Sequence, residues 1–448
     1  MHLTSNHWGI GRIEVEDGRI VSVAPHPNDP DPSPINGNIA SSLNGRARVM
    51  RPAVRKGWLE NGPGPSERGR EPFVEVSWEE MIGLLAGELT RVKQTYGNGA
   101  IFAGSYGWSS AGRFHHAQSQ LKRFLNTQGG VVRSEGNYSY NAALGLMPFI
   151  LGNFRDHVAG ATRWPVVAEN TNLVVAFGGL AHRNSQVSDG GIAMHRKTRN
   201  LEKCAEAGVR FVNFSPLRSD VAEVVDAEWL APRPGTDVAI MMGLAHTLLE
   251  EDLHDREFLK RYTVGFEHLE NYLLGTADGV AKTAAWAALR SGIPEERLRM
   301  LAREMARGRT MISCAASLQR ADYGEQPLWM TVALAAMLGQ IGLPGGGFTI
   351  GYAVNGNIGN MERLFRPGAL PQGENPIADF IPVSMTSDML LNPGGEYSYL
   401  GKTRKFPDAK MVWWAGGNPF HHHQDLNRLR TAFARPETVI VHEINWTA

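Results

Sequence analysis

The chain is poor in cysteine: its 448 residues include two, Cys204 and Cys314, each alone in an apolar stretch. Two isolated thiols cannot build a thiolate cluster for zinc or iron–sulfur, nor a disulfide framework, so both read as buried packing residues. Net charge is missing as well, with 45 Lys plus Arg set against 45 Asp plus Glu. Without a basic field the chain is not expected to partner nucleic acid. No run approaches the roughly 20 apolar residues of a membrane helix. The opening residues MHLTSNHWGIGRIEVEDGRI carry neither a basic–apolar leader nor a twin arginine, so the expected location is cytoplasmic, and periplasmic only if an export signal lies upstream of Met1. A G-x-G-x-x-G turn is also lacking, which weighs against a nicotinamide dehydrogenase.

What the sequence does contain is alternation of short apolar strands with amphipathic helices. Ile13 and Val15, then Ile20, Val21 and Val23, flank Asp17-Gly18 as a hairpin would. A connector rich in Pro, Asn, Asp and Gly follows over 25–44. Ser77 and Glu80 form a capping box ahead of Trp78, Ile82, Leu85, Leu89 and Val92 at helical spacing. Strands are expected over 100–103, 172–178, 209–214 and 227–230, with helices over about 190–207 and from a Thr236 cap through Leu249. Such alternation implies an α/β fold, a parallel sheet with helices on both faces. Ligands of such sheets sit in loops at the carboxyl ends of strands, here 104–112, 178–186, 213–218, 234–237, 315–320 and 416–424.

Two of the Gly-rich turns present aromatic and hydroxyl side chains together: Tyr106-Gly107-Trp108 and Tyr138-Ser139-Tyr140. That combination suits a flat cofactor and one oxygen ligand better than it suits a core. Each neighbouring motif also has a plain structural reading. Ser139 has no G-x-S-x-G elbow and on pattern alone is a turn serine rather than a nucleophile. Gly178-Gly179 reads as an ordinary strand–helix turn. His115-His116 and His421-His422-His423 point in divergent directions and lack an i,i+4 carboxylate partner, so they favour hydrogen bonds to a polar ligand or water over zinc. Gly345-Gly346-Gly347 is either a loop close to a ligand or a simple turn.

The segments SYGWSSAGRFHHAQSQLKRFLN, YS at 138–139, WPVVAENT, GTDVAIMMGLAHTL, LQRADYGEQPLW, MLGQIGLPGGGF and WWAGGNPFHHHQDLNR occur in this order along the chain. Together they resemble the molybdopterin oxidoreductases, in particular the dimethyl sulfoxide, trimethylamine N-oxide and biotin sulfoxide reductase branch. The resemblance implies Rossmann-like parallel-sheet layers. It divides the chain into an N-terminal β-rich segment (1–46), a first α/β region with active-site loops (47–160), a Rossmann-like dinucleotide-binding domain (161–350), and a return segment opening a further, incomplete α/β region (351–448). It implies a bis(molybdopterin guanine dinucleotide) molybdenum cofactor with no iron–sulfur cluster, an S-oxide or N-oxide substrate and an unidentified electron donor. Ser139 matches the serine that ligates the metal in this branch, a hard oxygen donor suited to a high-valent ion. Tyr106 and Trp108 match the aromatic pair beside it, with Gly107 between them. Pyrophosphate, ribose or guanine contacts fall on Arg183, Asn184, Ser215, Gly235, Thr236, Asp237, Ser317, Arg320, Asn418, His422, His442 and Glu443. Two departures stand out: Tyr140-Asn141 follow Ser139 where the family often has Thr-Gly, and the chain stops at Thr447-Ala448, where relatives continue into a C-terminal β-barrel-like domain. Two functional readings follow: a sulfoxide or N-oxide reductase, or a truncated, non-catalytic fragment or one part of a split enzyme that lacks its C-terminal half.

Overall fold

The computed structural model describes residues 2–66, 68–108, 115–352, 354–360 and 369–446. The 109–112 part of the first expected binding loop and the final Thr447-Ala448 lie outside them. Strands β1 (His2–Asn6), β2 (Gly9–Glu16) and β3 (Arg19–Pro25) form an antiparallel meander. The expected hairpin is its second half, turning at Asp17 (φ 48°) and Gly18 (φ 73°), the left-handed pair that a tight hairpin requires. Strands β4 (Ala53–Arg55) and β5 (Phe73–Glu75) pair antiparallel. Next come β6 (Ile101–Gly104) and β7 (Val132–Glu135), then β8 (Leu173–Phe177), β9 (Arg210–Phe214), β10 (Glu228–Leu230), β11 (Thr310–Cys314) and β12 (Gly347–Thr349). The last are β13 (Phe380–Pro382), an antiparallel pair β14 (Glu396–Tyr399) and β15 (Lys402–Lys405), β16 (Met411–Ala415) and β17 (Thr438–His442).

Two five-stranded sheets result, ordered β13-β7-β6-β16-β17 and β10-β9-β8-β11-β12. Every pairing in both is parallel, giving the α/β architecture expected. Residues 351–448 give three strands to the first sheet, so that sheet joins chain segments some 250 to 310 residues apart, β6 lying directly against β16.

Alternate residues of each strand serve opposite faces, and both faces are covered, as parallel sheets require. In the second sheet Val175, Phe177, Val212, Phe214 and Ile312 pack against helices Asp237–Glu250, Glu295–Arg307 and Glu325–Met337. Val174, Ala176, Phe211 and Met311 pack on the other face against Trp164, Leu201, Cys204 and Tyr352. In the first sheet Phe102, Val132, Ile381, Val412 and Trp414 meet Leu429 and Phe433. Its other face, through Ile101, Ala103, Met411 and Trp413, meets Leu89, Val92, Leu121 and Leu125. Both cysteines are free and buried, and burial pushes each thiol up to about 12, which makes them inert at neutral pH.

Local departures from the expected elements have physical causes. The capping box delivers its first bond, Glu80 N–H to Ser77 Oγ at 3.1 Å, but the helix Trp78–Tyr96 leaves Trp78 and Ile82 exposed and buries only Leu89 and Val92 of its apolar stripe. The helix expected over 190–207 begins at Lys197. Before it, Gly190 and Gly191 take left-handed φ, and His195 is drawn into a buried pair with Asp29 of the connector. Asp29 accepts from His195 N at 3.0 Å and from Nδ1 at 2.7 Å, while His195 Nε2 faces Gln186 O at 3.1 Å. Beside it Asp31 pairs with His182 Nε2 at 2.6 Å and Thr198 Oγ1 at 2.7 Å. These carboxylates pin the N-terminal meander onto the second sheet's loops.

Replacing Asp29 with Ala leaves the His195 N–H and Nδ1 without their acceptor, each a loss of about 1–3 kcal/mol. The expected outcome is a lower melting temperature, with limited proteolysis cutting first in the 25–38 connector. An unchanged cleavage pattern would contradict the pinning role.

Candidate active site

Both sheets grow outward from a first strand that ends up internal. In the first, β6 is followed by β7 on one side and the chain later returns to place β16 on the other. In the second, β8 is flanked by β9 and β11 in the same manner. Each sheet therefore has a topological switch point, where loops leave adjacent strands in opposite directions and open a crevice at the carboxyl edge. The first crevice lies between the loops after β6 and β16, the second between those after β8 and β11.

The first crevice is closed at its floor by backbone contact. Tyr106 N–H donates to Gly416 O at 2.8 Å. A Cβ on Gly416 would stand 3.1 Å from the Gly107 Cα, one on Gly417 2.8 Å from the Tyr106 Cβ, and both residues have left-handed φ. Only glycine fits there. Above this floor the Tyr106 ring lies edge-on to Trp414 (4.7 Å) and His422 (4.6 Å), and its hydroxyl meets His423 Nε2 at 2.8 Å. Burial, then the neighbouring Tyr138, pushes the Tyr106 phenol well above its ordinary 10, so it keeps its proton. Tyr138 reaches the same histidine from the β7 loop, its hydroxyl 3.2 Å from Nδ1. Asn418 and Glu443 are joined at 3.3 Å, and His442 Nε2 accepts from Trp413 Nε1 at 2.9 Å. Trp108 stands apart from Tyr106, edge-on to His7 of the meander at 5.6 Å.

Ser139 is exposed on the turn after β7. Its N–H and that of Tyr140 both donate to Asn137 Oδ1 at 2.9 Å. Its carbonyl accepts from Gln319 Nε2, whose Oε1 takes the Ala142 N–H at 2.8 Å. Gln319 belongs to the loop after β11, so the second crevice grips the serine turn of the first. The Ser139 hydroxyl has no hydrogen-bond partner among the described residues. Arg320, beside Gln319, has its charge close enough to His422 to help burial and His421 hold that imidazole below its ordinary value.

In the second crevice Asp220 is the hub. Arg183 pairs with it at 2.8 Å, Ser215 Oγ donates to it at 2.6 Å, and the Leu180 N–H meets its carbonyl at 2.6 Å. Asn184 N–H closes a turn onto Ala181 O at 3.2 Å. Gly235, Asp237 and Ser317 converge on one cavity of about 340 Å³, with Asp322, Tyr323 and Gln326 on its wall. Thr236 precedes the helix as expected, but its hydroxyl bonds back to Arg233 O at 2.6 Å instead of capping. Burial pushes the Asp237 carboxyl up to about 6 from its ordinary 3.8. Sequence reasoning missed Gln319, Asn137, Asp220, His423 and Gln424 as site residues. Gln319 and His423 sat inside the quoted motifs, but nothing in their spacing marked which neighbour each would meet.

The molybdopterin oxidoreductase family model matches residues 48–448, and the model for the molybdopterin oxidoreductase N-terminal domain matches 4–43. The chain belongs to the molybdopterin oxidoreductase family. It is 45% identical over 430 residues to a biotin sulfoxide reductase of Cereibacter sphaeroides, covering 96% of this chain and 58% of that protein. To a dimethyl sulfoxide/trimethylamine N-oxide reductase of the same organism it is 42% identical over 454 residues, 99% of this chain and 55% of the relative. A trimethylamine-N-oxide reductase of Haemophilus influenzae is 39% identical over 462 residues, with 99% and 55% covered. The chain thus spans little more than half the length of these curated relatives. Acetylene hydratase from Pelobacter acetylenicus shares the fold, with a TM-score of 0.53 at 20% identity over 75% of this chain and 43% of that one. Family membership implies a molybdenum–molybdopterin cofactor. Among the described residues no helix is long and apolar enough to cross a membrane.

The Asp237 carboxyl yields a pH signature. Its folded pKa lies above the unfolded one, so the fold is favoured by protonation: this contribution is intact below about pH 4 and is lost as pH rises through about 6. Asp237→Asn in cofactor-free protein is therefore expected to melt higher than the parent at neutral pH, with the gap closing toward pH ~4. Parallel melting curves for the two proteins across that range would show the carboxyl to be solvated.

Proposed function

We propose that the protein reduces an S-oxide or N-oxide by oxygen-atom transfer at a bis(molybdopterin guanine dinucleotide) molybdenum centre, without an iron–sulfur cluster and with Ser139 as the protein's ligand to the metal. The observation that carries this reading is one serine turn set against both crevices: Tyr138 reaches His423 of the first, the Ser139 carbonyl accepts from Gln319 of the second, and the Ser139 hydroxyl has no partner among the described residues. The names of the relatives, biotin sulfoxide reductase and dimethyl sulfoxide/trimethylamine N-oxide reductase, support the substrate class.

The residues present fit the cofactor. A dinucleotide tail needs backbone close to its phosphates and a buried acceptor for its base. Gly235 lines the second cavity with open space where a side chain would stand, and Asp237 is a buried carboxylate on the same cavity, with no cation lining it among the described residues. A guanine edge, presenting two N–H donors to one carboxylate, would relieve the burial cost that raises Asp237. Ser215, Ser317, Asn418 and His442 supply neutral hydrogen bonds around the two crevices, while Arg183 and Arg320 supply charge-assisted donors for phosphate. When bound, the molybdenum centre supplies the two-electron oxygen-transfer chemistry. The chain's own work is to hold Ser139 at a fixed position, to wall the reacting oxygen with Tyr106, and to keep that phenol protonated beside it. An electron donor completes the cycle.

In protein loaded with molybdenum, reduction of a panel of S- and N-oxides by a reduced dye should be lost with Ser139→Ala. Bound molybdenum should fall by more than the roughly 10–100-fold that removal of an outer-shell partner costs. Full molybdenum content and activity in the variant would take Ser139 out of the ligand role.

A further inference from the structure

The hydrogen-bond chain behind Tyr106 has a direction that can be read from its far end. Gln424 Nε2 donates to the Ser384 carbonyl at 2.9 Å, and a carbonyl can only accept, which fixes the orientation of the Gln424 amide. Its Oε1 is therefore the atom 2.9 Å from the Tyr138 hydroxyl, and the proton between those two oxygens must be the phenol's. With that proton spent, the Tyr138 oxygen can only accept from His423 Nδ1, 3.2 Å away, so Nδ1 carries the hydrogen. In a neutral ring Nε2 is then bare, and the Tyr106 hydroxyl at 2.8 Å must donate to it.

We propose that His423 is the positioning residue for Tyr106: locked in the Nδ1–H tautomer, it accepts the Tyr106 O–H hydrogen bond at Nε2 and turns the phenol's lone pairs, not its proton, toward the oxygen-transfer site. The inference deepens the reductase reading and rests on it for the word "site", though not for the tautomer. Burial, then the adjacent His422, lowers the His423 imidazole to about 4, which keeps it neutral. The ring is itself buried and packed edge-on against Tyr138 at 5.4 Å, so it cannot flip without breaking both phenol bonds. In this resting arrangement Tyr106 accepts hydrogen bonds from the site. To donate to a substrate oxygen it must first turn its O–H away from His423 Nε2 and give up that bond, a control that Tyr106 alone would not have.

The tautomer is measurable in cofactor-free protein by nitrogen NMR of labelled histidines at neutral pH, with the His423 signal assigned by its absence from His423→Gln. The expected spectrum has a protonated Nδ1 and a hydrogen-bonded, unprotonated Nε2. Tyr106→Phe should move Nε2 toward the value of a free acceptor and leave Nδ1–H in place, while Gln424→Leu, which leaves the Tyr138 proton only the long contact to the Val383 carbonyl at 3.5 Å, should mix the tautomers. A proton on Nε2 in the parent protein, or an Nε2 indifferent to Tyr106→Phe, overturns the proposal. In molybdenum-loaded protein, His423→Phe should lower kcat by up to about 10²-fold with a much smaller change in KM, the scale expected for a misplaced reacting group. His423→Gln, whose amide oxygen can take the Tyr106 proton, should recover part of that loss; equal kcat in parent and His423→Phe overturns the positioning role. If the parent reduces no oxide while the NMR result holds, the reductase reading fails and the tautomer assignment survives.

Discussion

The site depends on one close approach: the backbone of Tyr106-Gly107 against that of Gly416-Gly417. Two strands far apart in sequence, β6 and β16, are neighbours in a parallel sheet, and their exit loops must part in opposite directions. The Tyr106 N–H to Gly416 carbonyl bond ties those loops at the moment of divergence. Any side chain at 416 or 417 would push them apart and break the bond. Everything above follows from that floor: the edge-on stack of Tyr106 with Trp414 and His422, and the place from which Tyr106 meets His423.

The second sheet repeats the topology but uses its crevice differently. Asp220 gathers Arg183, Ser215 and the Leu180 backbone, so this edge is organised around a carboxylate of the protein's own. Asp237 and Ser317 open into a cavity instead. The two crevices do not act independently, because Gln319 spans from one to the serine turn of the other. A side-chain amide suits this link: it donates and accepts at once, and can satisfy the Ser139 carbonyl and the Ala142 N–H without bringing a charge near the hydroxyl.

Much of the fold could be read from the sequence, since β6, β8 and β9 are largely apolar runs ending at Gly or Ser. Burial on both faces makes such strands continuous in hydrophobicity and easy to find. The three-residue strands β12 and β13 could not be read: Gly347-Phe348-Thr349 and Phe380-Ile381-Pro382 are too short for any period, and only the neighbouring strand makes them strands. Helical spacing was misleading at Trp78 and Ile82, because periodicity places residues on one face without saying that anything covers it. Among site residues, those in Gly-rich turns could be placed because backbone constraints leave a mark in composition. Gln319, Asp220 and His423 could not, for what matters about them is a partner between 5 and 317 residues away. The three consecutive histidines show the difference best. They are alike in sequence, yet His421 and His422 are exposed while His423 is buried between two tyrosines.

Burial acts on the two crevices in opposite electrostatic senses. At Asp237 it raises a carboxyl toward neutrality, leaving an acceptor whose charge is restored by whatever donors enter the cavity. At His423 it removes a charge that an exposed histidine could carry, leaving a ring that relays orientation. A cationic His423 would present N–H at both nitrogens, reversing the bond to Tyr106 and turning the phenol's proton outward. Desolvation therefore does more than exclude water from this site: by holding His423 neutral it decides which end of the Tyr106 hydroxyl faces the reacting oxygen, and a single buried ring sets the polarity of the wall.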